Sequence, residues 1–162
     1  MITYDFALQT EIDGEVFYRS QAEKFVNQLP LHQIFEILAD VESKHARLIR
    51  DKMADADYIL PDHQSLVTAQ NVFAGLTGFA ANAEYLTDQL DTYRHALDIE
   101  QKSLDIYLAL RKAAQNEKEE LFLDFLIAQE KNHSQFFTDL IELVSKPVDW
   151  VEAAEFGTRS EY

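Results

Sequence analysis

Residues 42–45 of the chain read Glu-Ser-Lys-His, and residues 130–133 read Glu-Lys-Asn-His. In each tetrapeptide the glutamate and the histidine are three residues apart, so they lie one turn apart on the same face of a helix. Both interrupt apolar residues at helical spacing, with Leu38 and Ala46 beside the first and Leu126 beside the second. An isolated pair of this kind is more often a solvated contact on a helix surface, so its meaning depends on the surrounding helices.

Four long segments of the sequence carry apolar residues at helical spacing and are bounded by start or stop residues. They run from about Asp5 to Leu29 (A), from about Leu31 to Met53 (B), from about Asp91 to Ala114 (C), and from just after Asn116 to shortly before Pro147 (D). Pro30 ends A and suits the first turn of B. Asp91 and Asn116 are the expected N-caps of C and D.

The connections between these segments select the topology. A turns into B, and C into D, within a few residues, so each pair should form an antiparallel hairpin. About 37 residues, roughly 54–90, separate B from C, and one long crossover of this kind is typical of ferritin-like proteins. The sequence predicts an all-α, ferritin-like four-helix bundle of two antiparallel hairpins, as a single domain over residues 1–162.

The crossover and the C-terminal tail both carry large apolar residues. Within the crossover, residues 72–79 favour a short helix packed either on the bundle or against a second subunit, and the sequence does not separate these alternatives. The tail, about 147–162, is too short for a domain, and its Trp150, Phe156 and Tyr162 favour packing on the bundle or on a partner.

Composition excludes several classes of protein. The chain has four glycines and three prolines, too few to supply the turns of a fold built from many short strands. The net charge of −15 repels nucleic acids and anionic membranes, so we expect neither as a partner. With no cysteine, metals must bind to oxygen and nitrogen. Residues 1–6 lack the features of a secretion signal, so we expect a cytoplasmic location.

Acidic residues lie at the centre of every apolar stripe. Their positions are Glu11 in A, Glu42 in B, Glu100 in C and Glu130 in D, with His45 and His133 one turn beyond the second and the fourth. Burying an ionised carboxylate still costs several kcal/mol, and four would offset a whole domain's stability of about 5–15 kcal/mol. Two divalent cations would cancel the four charges, whereas protonation at all four sites would be unusual. We therefore predict a dinuclear metal site built from these six residues.

An internal repeat supports the same conclusion. Glu11 and Tyr18 match Glu100 and Tyr107 at an offset of 89 residues, and the Glu/His pair of B matches that of D at an offset of 88. The two halves are thus one hairpin used twice. This predicts a pseudo-twofold axis through a shared central site.

These residues together resemble the ferritin-like di-iron carboxylate proteins, most closely the rubrerythrin branch, over about Asp5 to Lys146. The resemblance implies two irons bridged by Glu42 and Glu130. It implies terminal ligation by Glu11 and Glu100, and one histidine, His45 or His133, on each iron. It also implies that the Tyr18 and Tyr107 hydroxyls bond ligand carboxylates of the other hairpin.

The sequence departs from rubrerythrins in two ways. Ser103 stands where the family carries an additional glutamate one turn after the ligand of helix C, and that glutamate is associated with iron movement during peroxide reduction. The four-cysteine iron site of the rubredoxin domain cannot form in a sequence without cysteine. We therefore expect the electron donor to be a separate molecule.

Three further residues lie beside the predicted ligands. Glu15 is either an accessory ligand, an acid on an access path, or a partly solvated charge, and we favour the last. Gly14 and Ser103 occupy matched positions in the repeat. Their small size either leaves room for oxygen or peroxide or allows close helix packing, and we favour packing.

The leading functional hypothesis is an oxidoreductase in which Fe(II) reacts with oxygen or hydrogen peroxide. The donor set also accepts Mn or Zn. Two alternatives stay open: binding or sequestration of iron without turnover, and a structural bundle that has lost its metal. We expect a homodimer, whereas storage would need a large closed shell.

Overall fold

The structure is a computed structural model that describes residues 2–61, 71 and 88–145. It contains four long helices within those ranges: α1 (Tyr4–Lys24), α2 (Leu29–Met53), α3 (Leu90–Ala113) and α4 (Glu117–Ser145). No strand occurs in the described ranges. The all-α, four-helix prediction is confirmed.

The helices associate as two hairpins, α1 with α2 and α3 with α4, and α1 also contacts α3. Each hairpin carries one arginine that links its two helices. Arg19 of α1 lies 2.8 Å from Glu36 of α2, and Arg111 of α3 lies 2.7 Å from Asp124 of α4. Such half-exposed pairs contribute at most about 1 kcal/mol each. Helix association therefore depends mainly on the buried apolar faces.

Two apolar clusters fill the bundle on either side of a polar layer. The first cluster lies toward the α1–α2 turn and includes the ring of Tyr18, which stacks on Phe137 with centroids 6.0 Å apart. The second cluster lies toward the α3–α4 turn and includes Tyr107, Phe122 and Leu123. The polar layer between them contains the predicted metal ligands.

Two helix ends differ from the sequence prediction. Segment A was expected to reach Leu29, but α1 ends at Lys24, and Gln28 N–H donates to the Phe25 carbonyl at 2.7 Å in the connecting turn. Leu29 belongs to α2 and is 61% exposed. The chain needs several residues to reverse direction between two side-by-side helices. No glycine or proline just before Pro30 marks where this reversal begins.

The two predicted N-caps have different outcomes. Asn116 accepts a hydrogen bond from Glu119 N–H at 3.0 Å, so the prediction for α4 is confirmed. Asp91 does not cap α3, because the helix begins one residue earlier and Gln89 takes the cap position. Asp91 instead lies in the first turn, where the helix dipole still favours its charge.

The proposed short helix of the crossover and the C-terminal tail lie outside the described residues. None of the helices in the described ranges has the length and apolarity needed to cross a bilayer.

Candidate metal centre

All four helices contribute acidic or imidazole side chains to one buried layer near their midpoints. These six side chains are each no more than 2% exposed: Glu11, Glu42, His45, Glu100, Glu130 and His133. They are the six residues that the sequence predicted as ligands. We call Glu42 and Glu130 the shared carboxylates, and Glu11 and Glu100 the flanking carboxylates.

The six side chains form two overlapping groups of four. One group consists of Glu11 and His45 with the shared carboxylates, and the other of Glu100 and His133 with the same two shared carboxylates. In each group, one ligand atom from every residue lies within 4.8 Å of the others. Each hairpin thus supplies three members of one group and one carboxylate to the other.

The histidines face these carboxylates through Nδ1. His45 Nδ1 lies 3.2 Å from Glu11 Oε2 and 3.2 Å from Glu130 Oε1. His133 Nδ1 lies 3.0 Å from Glu100 Oε2 and 3.4 Å from Glu42 Oε1. The two rings are nearly parallel, with centroids 5.9 Å apart. Each imidazole therefore contacts one flanking carboxylate of its own hairpin and one shared carboxylate of the other.

Two tyrosines connect the hairpins across the centre. The Tyr18 hydroxyl of α1 donates to Glu100 Oε1 of α3, and the Tyr107 hydroxyl of α3 donates to Glu11 Oε1 of α1. Burial and the nearby carboxylates raise the pKa of both phenols, so both stay protonated and act as donors. Each flanking carboxylate is thus oriented by the opposite hairpin.

The sequence model of the rubrerythrin family matches residues 5–141, which include all of these side chains. The chain belongs to the rubrerythrin family. No curated protein and no solved structure matches it. Rubrerythrin-family proteins are typically di-iron oxidoreductases, and no rubredoxin family is found in the 162 residues of this chain. The family resemblance seen in the sequence is confirmed.

The pKa shifts divide the carboxylates of this rubrerythrin-family chain into two kinds. Burial and the charges of nearby carboxylates raise the pKa of both shared carboxylates, Glu42 and Glu130. Burial also acts to raise the pKa of the flanking carboxylates, but interactions with the histidines and other hydrogen bonds outweigh it and lower both. Against the opposing effect of its burial, the carboxylates Glu100 and Glu130 also raise the pKa of His133. Among the four carboxylates, the shared pair is therefore the pair that holds protons most readily.

The same shared carboxylates carry buried oxygens without hydrogen-bond partners. Within the described part of the chain, Glu42 Oε1 and both carboxylate oxygens of Glu130 accept no hydrogen bond of acceptable geometry, although an imidazole Nδ1 lies 3.2–3.4 Å from one oxygen of each residue. A buried acceptor without a donor is costly, and several converging carboxylate oxygens need a proton or a cation between them. Oxygen and imidazole donors in these numbers suit divalent metal ions. The residues present therefore fit a pair of such ions.

The sequence left the roles of two residues beside the centre open. Glu15 lies in neither group; its side chain is 30% exposed and 3.7 Å from Arg19, as expected for a partly solvated charge. Ser103 is buried, at the position where the family's additional glutamate is absent.

One contact of the centre was missed by sequence reasoning. The ring of Phe125 packs edge-on against His45, with centroids 6.5 Å apart. Phe125 precedes Glu130 by five residues, a spacing that does not identify it as a neighbour of the ligands. Phe125 is partly buried against the second apolar cluster, and nothing in the sequence distinguishes it from the other phenylalanines of α4.

Proposed function

We propose that this protein is a di-iron oxidoreductase that binds two iron ions, whose Fe(II) form reduces oxygen or hydrogen peroxide. The observation that carries the proposal is the sharing of Glu42 and Glu130 between two four-residue groups, each of which has its own histidine and its own flanking carboxylate. Two metal sites that lie far apart would have no ligands in common. Two adjacent ions can be held by carboxylates that belong to both sites.

Each residue of the centre has a role in this proposal. The shared carboxylates would bridge the two ions, and each ion would also take one flanking carboxylate and one imidazole Nδ1. Four carboxylate charges balance two divalent ions, and the imidazoles complete the ligand set without adding charge. The donor set alone also accepts Mn or Zn, so iron rests on family membership.

The protein contributes position, orientation and shielding from water. The Tyr18 and Tyr107 hydroxyls hold the flanking carboxylates toward the centre, and the two apolar clusters separate the polar layer from bulk solvent. A bound pair of Fe(II) ions would supply two electrons, which with two protons reduce one hydrogen peroxide to two waters. Return to Fe(II) would need an electron donor, and we propose a separate molecule in this role, since the 162 residues include no cysteine for a rubredoxin-type iron site.

The test is anaerobic titration of chelator-treated protein with Fe(II), followed by oxygen or hydrogen peroxide. We expect two Fe(II) per chain and oxidation faster than that of Fe(II) in buffer. The double variant Glu42→Gln/Glu130→Gln should lose both, whereas Glu15→Gln, a matched change on α1 outside both groups, should keep both.

Other outcomes of the titration would support the competing functions. Two bound Fe(II) that are not oxidised faster than in buffer would favour sequestration. Absence of binding would favour the structural bundle. Particle mass in solution separates the predicted homodimer from a storage shell, and the cytoplasmic location also stays a prediction.

A further inference from the structure

A surface pocket of about 200 Å³ lies between α1 and α3, the two helices that meet where the hairpins join. Four residues of α1 and three of α3 line it, among them Asp13, Gly14 and Lys102. A water molecule occupies about 30 Å³ in the liquid, so the pocket is large enough for oxygen or hydrogen peroxide.

Gly14 lines this pocket and also neighbours the centre. A Cβ atom added to Gly14 would lie 3.5 Å from Glu42 Cγ and 3.6 Å from Glu42 Oε2, and the three nearest atoms it would meet all belong to Glu42. One buried residue of the pocket lining therefore also faces a shared carboxylate. Any larger side chain at position 14 would enter the space between them.

Neither the backbone nor close packing requires glycine at this position. Gly14 lies within α1 and has no positive φ, and contacts of 3.5–3.7 Å are ordinary van der Waals distances. Glycine inside a helix also lowers stability by roughly 0.5–1 kcal/mol relative to alanine. Close helix packing, which we favoured from the sequence, therefore does not require glycine here, because the gap beside Glu42 would accept a methyl group at ordinary contact distances.

Rings from α2 and α4 pack together beside the carboxylates, away from the two helices that line the pocket. The two imidazoles lie nearly parallel, and the Phe125 ring packs against His45. At the mouth of the pocket, Asp13 and Lys102 are exposed and carry opposite charges from opposite helices. A neutral molecule carries no net charge for these two residues to attract or repel.

We propose that the α1–α3 pocket is the route by which a small neutral oxidant reaches the Glu42 side of the centre, and that Gly14 sets the width of its inner end. The proposal rests on the proposed di-iron function. It assigns Gly14 a role in access without contact to the metal ions.

The experiment compares Gly14→Ala and Gly14→Val with the parent and with Ser20→Val, which adds a branched side chain at an exposed position of the same helix. Three quantities are measured anaerobically on each protein: the number of Fe(II) bound, the association rate of nitric oxide with the Fe(II)-loaded protein, and the oxidation rate after hydrogen peroxide is added. Nitric oxide is a neutral diatomic probe of access, and its binding does not depend on turnover.

We expect Gly14→Val to keep two Fe(II) but to slow both rates at least about tenfold, which corresponds to a barrier increase of ~1.4 kcal/mol. Gly14→Ala, whose added carbon fits without displacement, should slow both rates to a smaller extent, and Ser20→Val should match the parent. If Gly14→Val does not fold, the alanine variant carries the test.

Parent rates in the Gly14 variants, or slower rates accompanied by loss of bound Fe(II), would overturn the access role. A parent that binds Fe(II) and nitric oxide but is not oxidised would refute the proposed function while the nitric oxide rates still decide the route. A parent that binds no metal would overturn both.

Discussion

The variant Glu42→Gln removes one charge from the centre and preserves the shape of the side chain. In the metal-free protein, burial and three neighbouring carboxylates raise the pKa of Glu42 well above the ordinary value of 4.5. The native state therefore keeps a proton that the unfolded chain releases, and stability falls as pH rises above 4.5. Glutamine is neutral at every pH, so the variant should escape this loss.

The size of the effect follows from that difference in protonation. The pKa of Glu42 is raised well above 4.5, so the cost of keeping its proton grows as pH rises from 5 to 7. At ~1.36 kcal/mol per pH unit this cost has an upper limit on the order of 3 kcal/mol at pH 7 and stays below about 1 kcal/mol at pH 5. We expect metal-free Glu42→Gln to exceed the parent in free energy of unfolding by up to ~3 kcal/mol at pH 7 and by less than ~1 kcal/mol at pH 5.

Bound metal should make the parent more stable than the Glu42→Gln variant. A divalent ion such as Mn(II), present at one hundred times its dissociation constant, stabilises the parent by about 2.7 kcal/mol per site. Glu42→Gln removes a carboxylate common to both groups and should gain much less. The assay is urea unfolding at pH 5 and pH 7, with chelator and with Mn(II). Glu15→Gln is the matched control, and its changes should stay within about 0.5 kcal/mol under all four conditions.

Two results would refute this reasoning. If metal-free Glu42→Gln is less stable than the parent at pH 7, the buried carboxylate does not oppose folding. If Mn(II) stabilises the variant as much as the parent, Glu42 is not a ligand.

Three further predictions concern the bonds, protons and packing around the centre. Tyr18→Phe and Tyr107→Phe should each weaken metal binding by about 10- to 100-fold in a Mn(II) titration, because the flanking carboxylates lose their donors, and unchanged affinity would contradict their orienting role. Metal binding should release protons from the shared carboxylates, because their pKa values are raised, so affinity should increase from pH 5 to pH 8. Calorimetry in two buffers of different ionisation enthalpy measures this release, and identical heats would argue against it. Leu123→Ala, in the second apolar cluster, should lower the free energy of unfolding by about 2–5 kcal/mol. Leu121→Ala, at a site that is 59% exposed, should change it by less than about 0.5 kcal/mol.

The sequence was most informative where a single periodicity determines structure. Apolar residues at helical spacing predicted four helices, and the same spacing placed Glu11, Glu42, Glu100 and Glu130 on the buried faces. Helix ends were less certain, because the end of α1 depends on how the chain reverses before Pro30. The helical pattern is the same whether residues 25–29 extend one helix or form a turn.

The arrangement of the centre was only partly accessible from sequence. Periodicity indicates that six side chains face inward, but not which carboxylates lie between the two histidines. That depends on the relative rotation and height of all four helices. The pocket at Gly14 was also out of reach, because a small residue in a helix is compatible with either close packing or open space until the distance to Glu42 is known.

The division of the six side chains between the two hairpins determines how a pair of ions would bind under the proposed function. Each group takes three residues from one hairpin and its remaining carboxylate from the other, and each flanking carboxylate is held by a tyrosine of the opposite hairpin. Loss of Glu130 would therefore remove a ligand from both groups, including the one built mainly from α1 and α2. Because neither group is complete without the other hairpin, we expect Glu130→Gln alone to lower the affinity for both ions. Loss of only one ion in a Mn(II) titration of that variant would show that the two groups act independently.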